Sequence, residues 1–317
     1  AEARPTSLWL LRELVDFVLQ DPRVEGMVFD IPPLTAGWAT SQSLRDILLR
    51  VREGDKRVVA YLSQGGGNRE LYVASAADRI VANPASQLSP LGVSASVPYV
   101  KGLLDRLGLS VEVHRRAEYK TAAEPATHES MSDEQREQTS ALLDTYDGAL
   151  RRALAARPGV GASRVDAFFE RALVTGREAV EAGLIDGVAF EDELPTQLAE
   201  DGKVTPVVRA PRYFAWRSRR LLRRVTPERF IAVVPVHGPL GTGPANARAG
   251  RKLATVLASL RAARRNPAVQ GVILHVDSPG GTPFASALVH RELVRLRERK
   301  PVVACLGDTA ASGGYYA

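Results

Sequence analysis

The sequence predicts an α/β fold of parallel-stranded β-α-β units, carried in two copies. Short apolar runs alternate with stretches whose apolar residues recur at helical spacing, the signature of strands joined by crossover helices. The pattern also repeats. Asp21-Pro-Arg-Val-Glu-Gly-Met-Val-Phe29 is matched by Asn266-Pro-Ala-Val-Gln-Gly-Val-Ile-Leu274, and Lys56-Arg-Val-Val-Ala-Tyr-Leu62 by Lys300-Pro-Val-Val-Ala-Cys-Leu306. Pro22, Val24 and Gly26 fall on Pro267, Val269 and Gly271, and one residue is gained or lost between the two blocks.

Each element follows in order. Leu8 to Leu19 has the spacing of an amphipathic helix, and Gly26 to Phe29 is short and apolar enough for a buried strand. A Pro- and Gly-bearing turn follows, then a helix over Ser41 to Val51 and a strand over Val58 to Leu62. Ser132 with Gln135 resembles a capping box, and Ala141, Leu142, Tyr146, Ala149 and Leu150 form a stripe suited to packing or subunit contact. Gly161 to Asp186 reads as a short structural helical pair. In the second copy the same order gives a helix over Leu253 to Ala263, a strand over Gly271 to Val276, a helix over Phe284 to Leu296 and a strand over Val302 to Leu306. The predicted division is residues 1–205, a linker at 206–228, and residues 229–317.

Composition sets bounds on the function. A chain of 317 residues exceeds one typical domain of ~150 residues. Hydrophobic residues make up 45% and charged residues 25%, which excludes disordered, collagen-like and membrane-embedded classes. A single cysteine, Cys305, excludes an intramolecular disulfide framework and a multi-cysteine zinc site, and its apolar setting reads as core filler. No apolar run reaches the ~18 residues of a membrane span. Because Ala1 leads at once into the first helix, no signal peptide is expected. The formal charge of +6 is local: Arg212, Arg217, Arg219, Arg220, Arg223 and Arg224 equal it within one short segment. That segment reads as a linker or surface helix. With Tyr213, Phe214 and Trp216 it suits a lipid headgroup surface or a partner at least as well as nucleic-acid bases.

In parallel sheets, chemistry gathers where strands end and turns begin. Two glycine-rich stretches stand at those points in the second copy: Asp277-Ser278-Pro279-Gly280-Gly281, and Gly307 through Ala311-Ser312-Gly313-Gly314-Tyr315. Glycine permits close backbone approach. Ser312 falls at an expected helix start, where unpaired N–H donors and a positive dipole end suit a nucleophile beside an oxyanion hole. Either motif alone reads more readily as a tight turn; the two at adjacent strand ends point to a site. In the first copy Ser312 falls on Asn68, and Gly313 and Gly314 fall on Arg69 and Glu70, so that copy should not perform the chemistry alone.

Other groups could serve the same site. His114, His128, His237, His275 and His290 invite a Ser-His-Asp triad, but each reads better as a packed or surface residue. Asp277 and Asp308 read as turn or structural residues, Asp308 as a turn cap.

Asp277-Ser-Pro-Gly-Gly281 followed by Ala310-Ala-Ser-Gly-Gly-Tyr315 resembles the signal peptide peptidase A family in its long tandem-repeat form. Ala74 to Ala82, Glu118-Tyr119-Lys120 with Glu124-Pro125, and Thr175 to Asp186 carry the resemblance through the first copy. It implies tandem domains of the Clp protease/crotonase fold, the second truncated at its C-terminus. It also implies a serine endopeptidase with Ser312 as nucleophile and Lys120 of the first copy as general base. Backbone N–H groups of Gly280 or Gly281 and of Gly313 would form the oxyanion hole. A free lysine has a pKa near ~10.4, so desolvation would be needed to make it a base at neutral pH. No metal or cofactor is implied. The implied substrates are hydrophobic peptides, in particular remnant signal peptides. A homotetramer is implied, acting on the outer side of a bacterial cell membrane, with no nucleic-acid partner. A crotonase-type acyl-CoA enzyme and an inactive fragment or scaffold are the alternatives. By the repeat, Ala317 falls on Val73, and a complete second copy is expected to need about 110 further residues.

Overall fold

A computed structural model describes residues 7–89, 92–171, 173–198, 206–220, 229–241 and 247–317, with the side chains of 217–220 and 247–251 outside the description. Residues 221–228, with Arg223 and Arg224, and the expected boundary at 205 therefore lie outside the described residues. Two compact units emerge: residues 1–35 with 41–207, and residues 36–40 with 208–317.

The first unit opens with α1 (Leu8–Leu19), β1 (Gly26–Asp30), α2 (Trp38–Glu53), β2 (Arg57–Leu62), α3 (Asn68–Ala74) and β3 (Arg79–Ala82). It continues through β4 (Gln87–Leu88), α4 (Lys101–Arg106), α5 (Glu124–Thr127), α6 (Asp133–Ala155) and α7 (Gly161–Phe169). β5 (Val174–Thr175), α8 (Gly176–Glu181), β6 (Gly187–Val188), a 3-10 turn (Glu191–Glu193) and α9 (Leu194–Gln197) complete it. Ser7 caps α1 by accepting a hydrogen bond from Leu10 N, and Leu14, Val15 and Val18 turn inward at the predicted spacing. Four parallel strands run in the order β1-β2-β3-β6, and β4 and β5 form a separate antiparallel pair. β2 is central, and Val58 to Leu62 are all buried. Each such aliphatic side chain contributes about 1.5–3 kcal/mol on burial. One sheet face, with Val28, Val59, Tyr61 and Val81, is covered by Ala189, Leu194 and Leu198.

The second unit contains α10 (Ala210–Arg220), β7 (Phe230–His237), α11 (Ala247–Arg265), β8 (Val269–Ser278), α12 (Pro283–Arg297), β9 (Val302–Ala310) and α13 (Gly313–Tyr316). Three parallel strands run in the order β7-β8-β9. Their core is made with α11 and α12: Val234 and Val236, Leu253 and Leu260, Leu274 and Val276, Val289 and Leu296 all interlock. Along the opposite face Val233, Ile273 and Val303 lie in register, and Val233 and Val303 are 53% and 62% exposed.

Strand register follows the sequence repeat. Met27, Val28, Phe29 and Asp30 pair with Val58, Val59, Ala60 and Tyr61. Their counterparts Val272, Ile273, Leu274 and His275 pair with Val302, Val303, Ala304 and Cys305. Three features differ from the sequence expectation. β7 carries Pro235 and has no counterpart among the predicted strands; it lies at a sheet edge, where proline is tolerated. β8 runs on through Asp277 and Ser278, so the tight turn is confined to Pro279–Gly281. β9 continues to Ala310 through a bulge, because the register jumps from Val276↔Leu306 to Ser278↔Ala310. Cys305, expected as core filler, is exposed on that strand.

Candidate active site

The second unit brings its two glycine-bearing turns together. β9 delivers the chain to Ser312, which is the N-cap of α13 with φ 48° and ψ −123°. This left-handed region is unfavourable for a side-chain-bearing residue and costs of the order of 1–3 kcal/mol. A serine held there must be over-determined by its surroundings, and they are visible. Ala311 N donates to Ser278 O at 3.0 Å, and Tyr316 N donates to Ser312 O at 3.0 Å. Gly280 has φ 103°, and a Cβ there would stand 2.7 Å from both Gly313 N and Ser312 Cβ. A Cβ on Gly313 would run into Ser286 Oγ and stand 3.3 Å from Gly281 N. A Cβ on Gly281 would collide with Leu240 O. The glycines are therefore required by close backbone approach as well as by conformation.

The backbone donors of these turns divide into used and unused. Gly280 N–H donates to Ser278 Oγ at 3.1 Å, and that hydroxyl donates to Gly238 O at 2.7 Å. Leu240 N donates to Gly280 O, and Thr282 N donates to Leu240 O. Gly281 N–H and Gly313 N–H donate to no partner among the described residues. Two unspent donors next to an exposed Ser312 are suited to stabilise an oxyanion.

Both aspartates are structural. Asp277 Oδ1 accepts from Thr309 N at 3.1 Å and so fills the β9 bulge. Asp308 Oδ2 accepts from Gly37 N (2.9 Å) and Thr40 Oγ1 (2.7 Å), and Oδ1 from Thr40 N (2.8 Å). It thus holds residues 36–40, which group with this unit. Burial works to raise its carboxyl, but the hydrogen bonds from Thr40 and Gly37 outweigh that and hold it below the ordinary carboxylate value. None of this unit's three histidines hydrogen-bonds Ser312 among the described residues. His237 Nε2 and His275 Nδ1 lie 2.7 Å apart, and His290 stacks on Tyr316. Burial, then the neighbouring His275, push His237 below the usual histidine value.

Lys120 lies in the first unit, on an exposed stretch that leads into α5. It lines a cavity of about 180 Å3 with Val113, Arg115, Ala123, Glu124, Thr127 and His128. Its stretch is held at Tyr119, whose hydroxyl donates to Glu137 Oε2 (2.7 Å) and whose carbonyl accepts from Gln138 Nε2 (2.9 Å). Glu137 and Gln138 lie on α6, which starts at the Ser132 cap; this is half of the expected capping box, because the Gln135 side chain accepts from the Tyr99 hydroxyl instead.

The first unit's counterpart turn carries no nucleophile. By its place at the helix start Ser312 pairs with Gly67, the N-cap of α3, rather than with Asn68; Gly67 has an unstrained φ of −106°. Glu70 closes that turn instead. Glu70 Oε1 accepts from Leu34 N at 2.5 Å and Oε2 from Gly67 N at 2.8 Å. Among the described residues no three His, Cys, Asp or Glu side chains gather as a metal site.

Comparison with known proteins places the chain beside serine peptidases. The sequence model of peptidase family S49 matches residues 50–205. The chain is 30% identical over 308 residues to "Serine protease SPPA, chloroplastic" of Arabidopsis thaliana, covering 93% of this chain and 45% of that protein. It is 29% identical over 312 residues to "Protease 4" of Salmonella typhi (93% and 49%) and 28% identical over 316 residues to "Protease 4" of Haemophilus influenzae (93% and 50%). The chain thus spans about half the length of the curated relatives it matches.

Proposed function

We propose, from the match of residues 50–205 to the model of peptidase family S49, that the chain is a serine endopeptidase with a Ser312/Lys120 dyad. The observation that carries the reading is Ser312 itself, held left-handed at a helix start beside two unused backbone N–H donors. Ser312 Oγ attacks the scissile carbonyl as Lys120 takes its proton. The Gly281 and Gly313 N–H groups receive the developing oxyanion, and Gly280 spends its own N–H on shaping the turn. The protonated lysine returns the proton to the leaving amine, and water releases the acyl group. The register shared by the two sheets supports a tandem Clp protease/crotonase-like architecture.

The substrates we propose are hydrophobic peptides, including remnant signal peptides. The relatives' printed names support a protease. Exposed Phe284, Tyr315 and Tyr316, next in sequence to the two turns, offer apolar surface for such peptides. Action at the outer side of a bacterial cell membrane, as a homotetramer, belongs to the same proposal. No described helix is long and apolar enough to cross a membrane.

The test is labelling with a fluorophosphonate probe together with turnover of a chromogenic hydrophobic peptide. Wild type should be labelled at Ser312, and Ser312→Ala should lose both label and turnover. Lys120→Ala should lower turnover by at least ~10²-fold with an unchanged melting temperature. Full turnover in Ser312→Ala would sink the reading, and an acyl-CoA hydratase activity without labelling would replace it.

A further inference from the structure

Glu124 does not belong to the dyad, yet it is one of the few buried carboxylates, at 2% exposure. A buried carboxylate persists only where it is paired and hydrogen-bonded. Its partners are specific. Oε1 accepts from Arg115 Nη1 at 3.1 Å and from Ser132 Oγ at 2.9 Å. Oε2 accepts from the same hydroxyl at 2.8 Å and from Ser132 N at 3.4 Å. Ser132 in turn caps α6, its Oγ accepting from Gln135 N at 3.2 Å. Burial works to raise the Glu124 carboxyl, but the bonds from Ser132 and Arg115 outweigh it, so the charged form is held.

Position gives this network a purpose. Glu124 lines the same small cavity as Lys120. On one side of Lys120, Tyr119 is tied to α6 through Glu137 and Gln138. On the other side, Glu124 is tied to the helix's first residue pair through Ser132, and Glu124 N donates to Thr121 O at 2.9 Å. The lysine thus sits on a short span anchored at both ends to one helix of 23 residues. A lysine side chain has large rotamer freedom, so the backbone beneath it must be fixed if its amine is to reach one point reproducibly.

We propose that Glu124 is a positioning residue: through Ser132 at the start of α6 it fixes the Lys120 span, and so sets turnover without touching substrate. The inference rests on the dyad reading for its effect on turnover, but the anchoring itself does not.

The test uses the full chain with Glu124→Gln, Ser132→Ala and Ser132→Thr. The first readout is trypsin cleavage at the Lys120–Thr121 bond, followed by mass spectrometry under native conditions. Thr121 is buried, so cleavage should be slow in wild type. We expect it about tenfold faster in Glu124→Gln and Ser132→Ala, and near the wild-type rate in Ser132→Thr, which keeps the hydroxyl. The second readout is peptide turnover. kcat should fall about tenfold in the first two variants at unchanged KM, and Ser132→Thr should restore it. Wild-type cleavage at Lys120–Thr121 in both Glu124→Gln and Ser132→Ala overturns the anchoring. Faster cleavage with unchanged kcat, in a protein where Lys120→Ala abolishes turnover, overturns the positioning role. If Lys120→Ala keeps full turnover, the dyad reading falls, and the trypsin result still decides the anchoring.

Discussion

At the residue scale, the glycines of the second unit give the sharpest expectations. Gly281→Ala would drive a Cβ into Leu240 O, and Gly280→Ala would combine that kind of collision with a φ of 103°. Both should abolish fluorophosphonate labelling and lower the melting temperature, because backbone cannot yield as a flexible side chain can. Asp308 predicts a pH effect. Its folded pKa is depressed, so its stabilisation is present above the ordinary value of 3.8 and lost as pH falls through the lower folded value. Asp308→Asn should therefore destabilise the protein by about 1–3 kcal/mol at pH 7. The gap between the two melting curves should close below pH 3.8. A constant gap across pH would show that the carboxylate charge is irrelevant. Ser312 could be picked out from sequence because small residues at a strand end signal a turn. Its conformation could not, because a φ angle depends on what packs around it. Nor could sequence choose between Gly280 and Gly281 as donor. In the proposed oxyanion hole that choice turns on Gly280 N–H donating to the Ser278 hydroxyl.

At the element scale, the helix–strand alternation was legible at β1, β2, β8 and β9 and the helices that precede and join them, α1 has the predicted bounds, and β3 to β6 were not read. What escaped was strand extent. Glycine at 307 and the Asp-Ser pair at 277–278 look like turn residues, yet β8 and β9 pair through them by means of a bulge. Local composition marks a turn propensity; cross-strand pairing overrides it. β7 escaped because Pro235 masks a strand that only an edge position allows. α10 carries the element-scale prediction. From Lys203 to Pro227 the sequence holds eight cationic residues and no acidic one, with Tyr213, Phe214 and Trp216 among them. Vesicles rich in phosphatidylglycerol should bind the protein and shift the tryptophan emission to the blue, and the binding should weaken in high salt. Arg212→Glu should reduce binding several-fold. Equal binding to zwitterionic vesicles would remove the electrostatic basis of this expectation.

At the scale of the whole molecule, the first unit covers its Val28–Val59–Val81 face with Ala189, Leu194 and Leu198. That the first copy's turn lacks a serine was readable in the sequence. The physical closure of that turn by Glu70 was not readable, since nothing in a lone glutamate says which N–H groups it will meet.

The left-handed backbone at residue 312 carries a trade-off between durability and work. Its counterpart Gly67 sits relaxed, whereas Ser312 holds a hydroxyl in a conformation that glycine would adopt freely. Ser312→Gly should therefore yield a dead but hardier protein, with a higher melting temperature than wild type by the release of about 1 kcal/mol or more of strain. Ser312→Ala would be equally dead without that gain. Both outcomes together would mark residue 312 as the place where this chain gives up stability for chemistry.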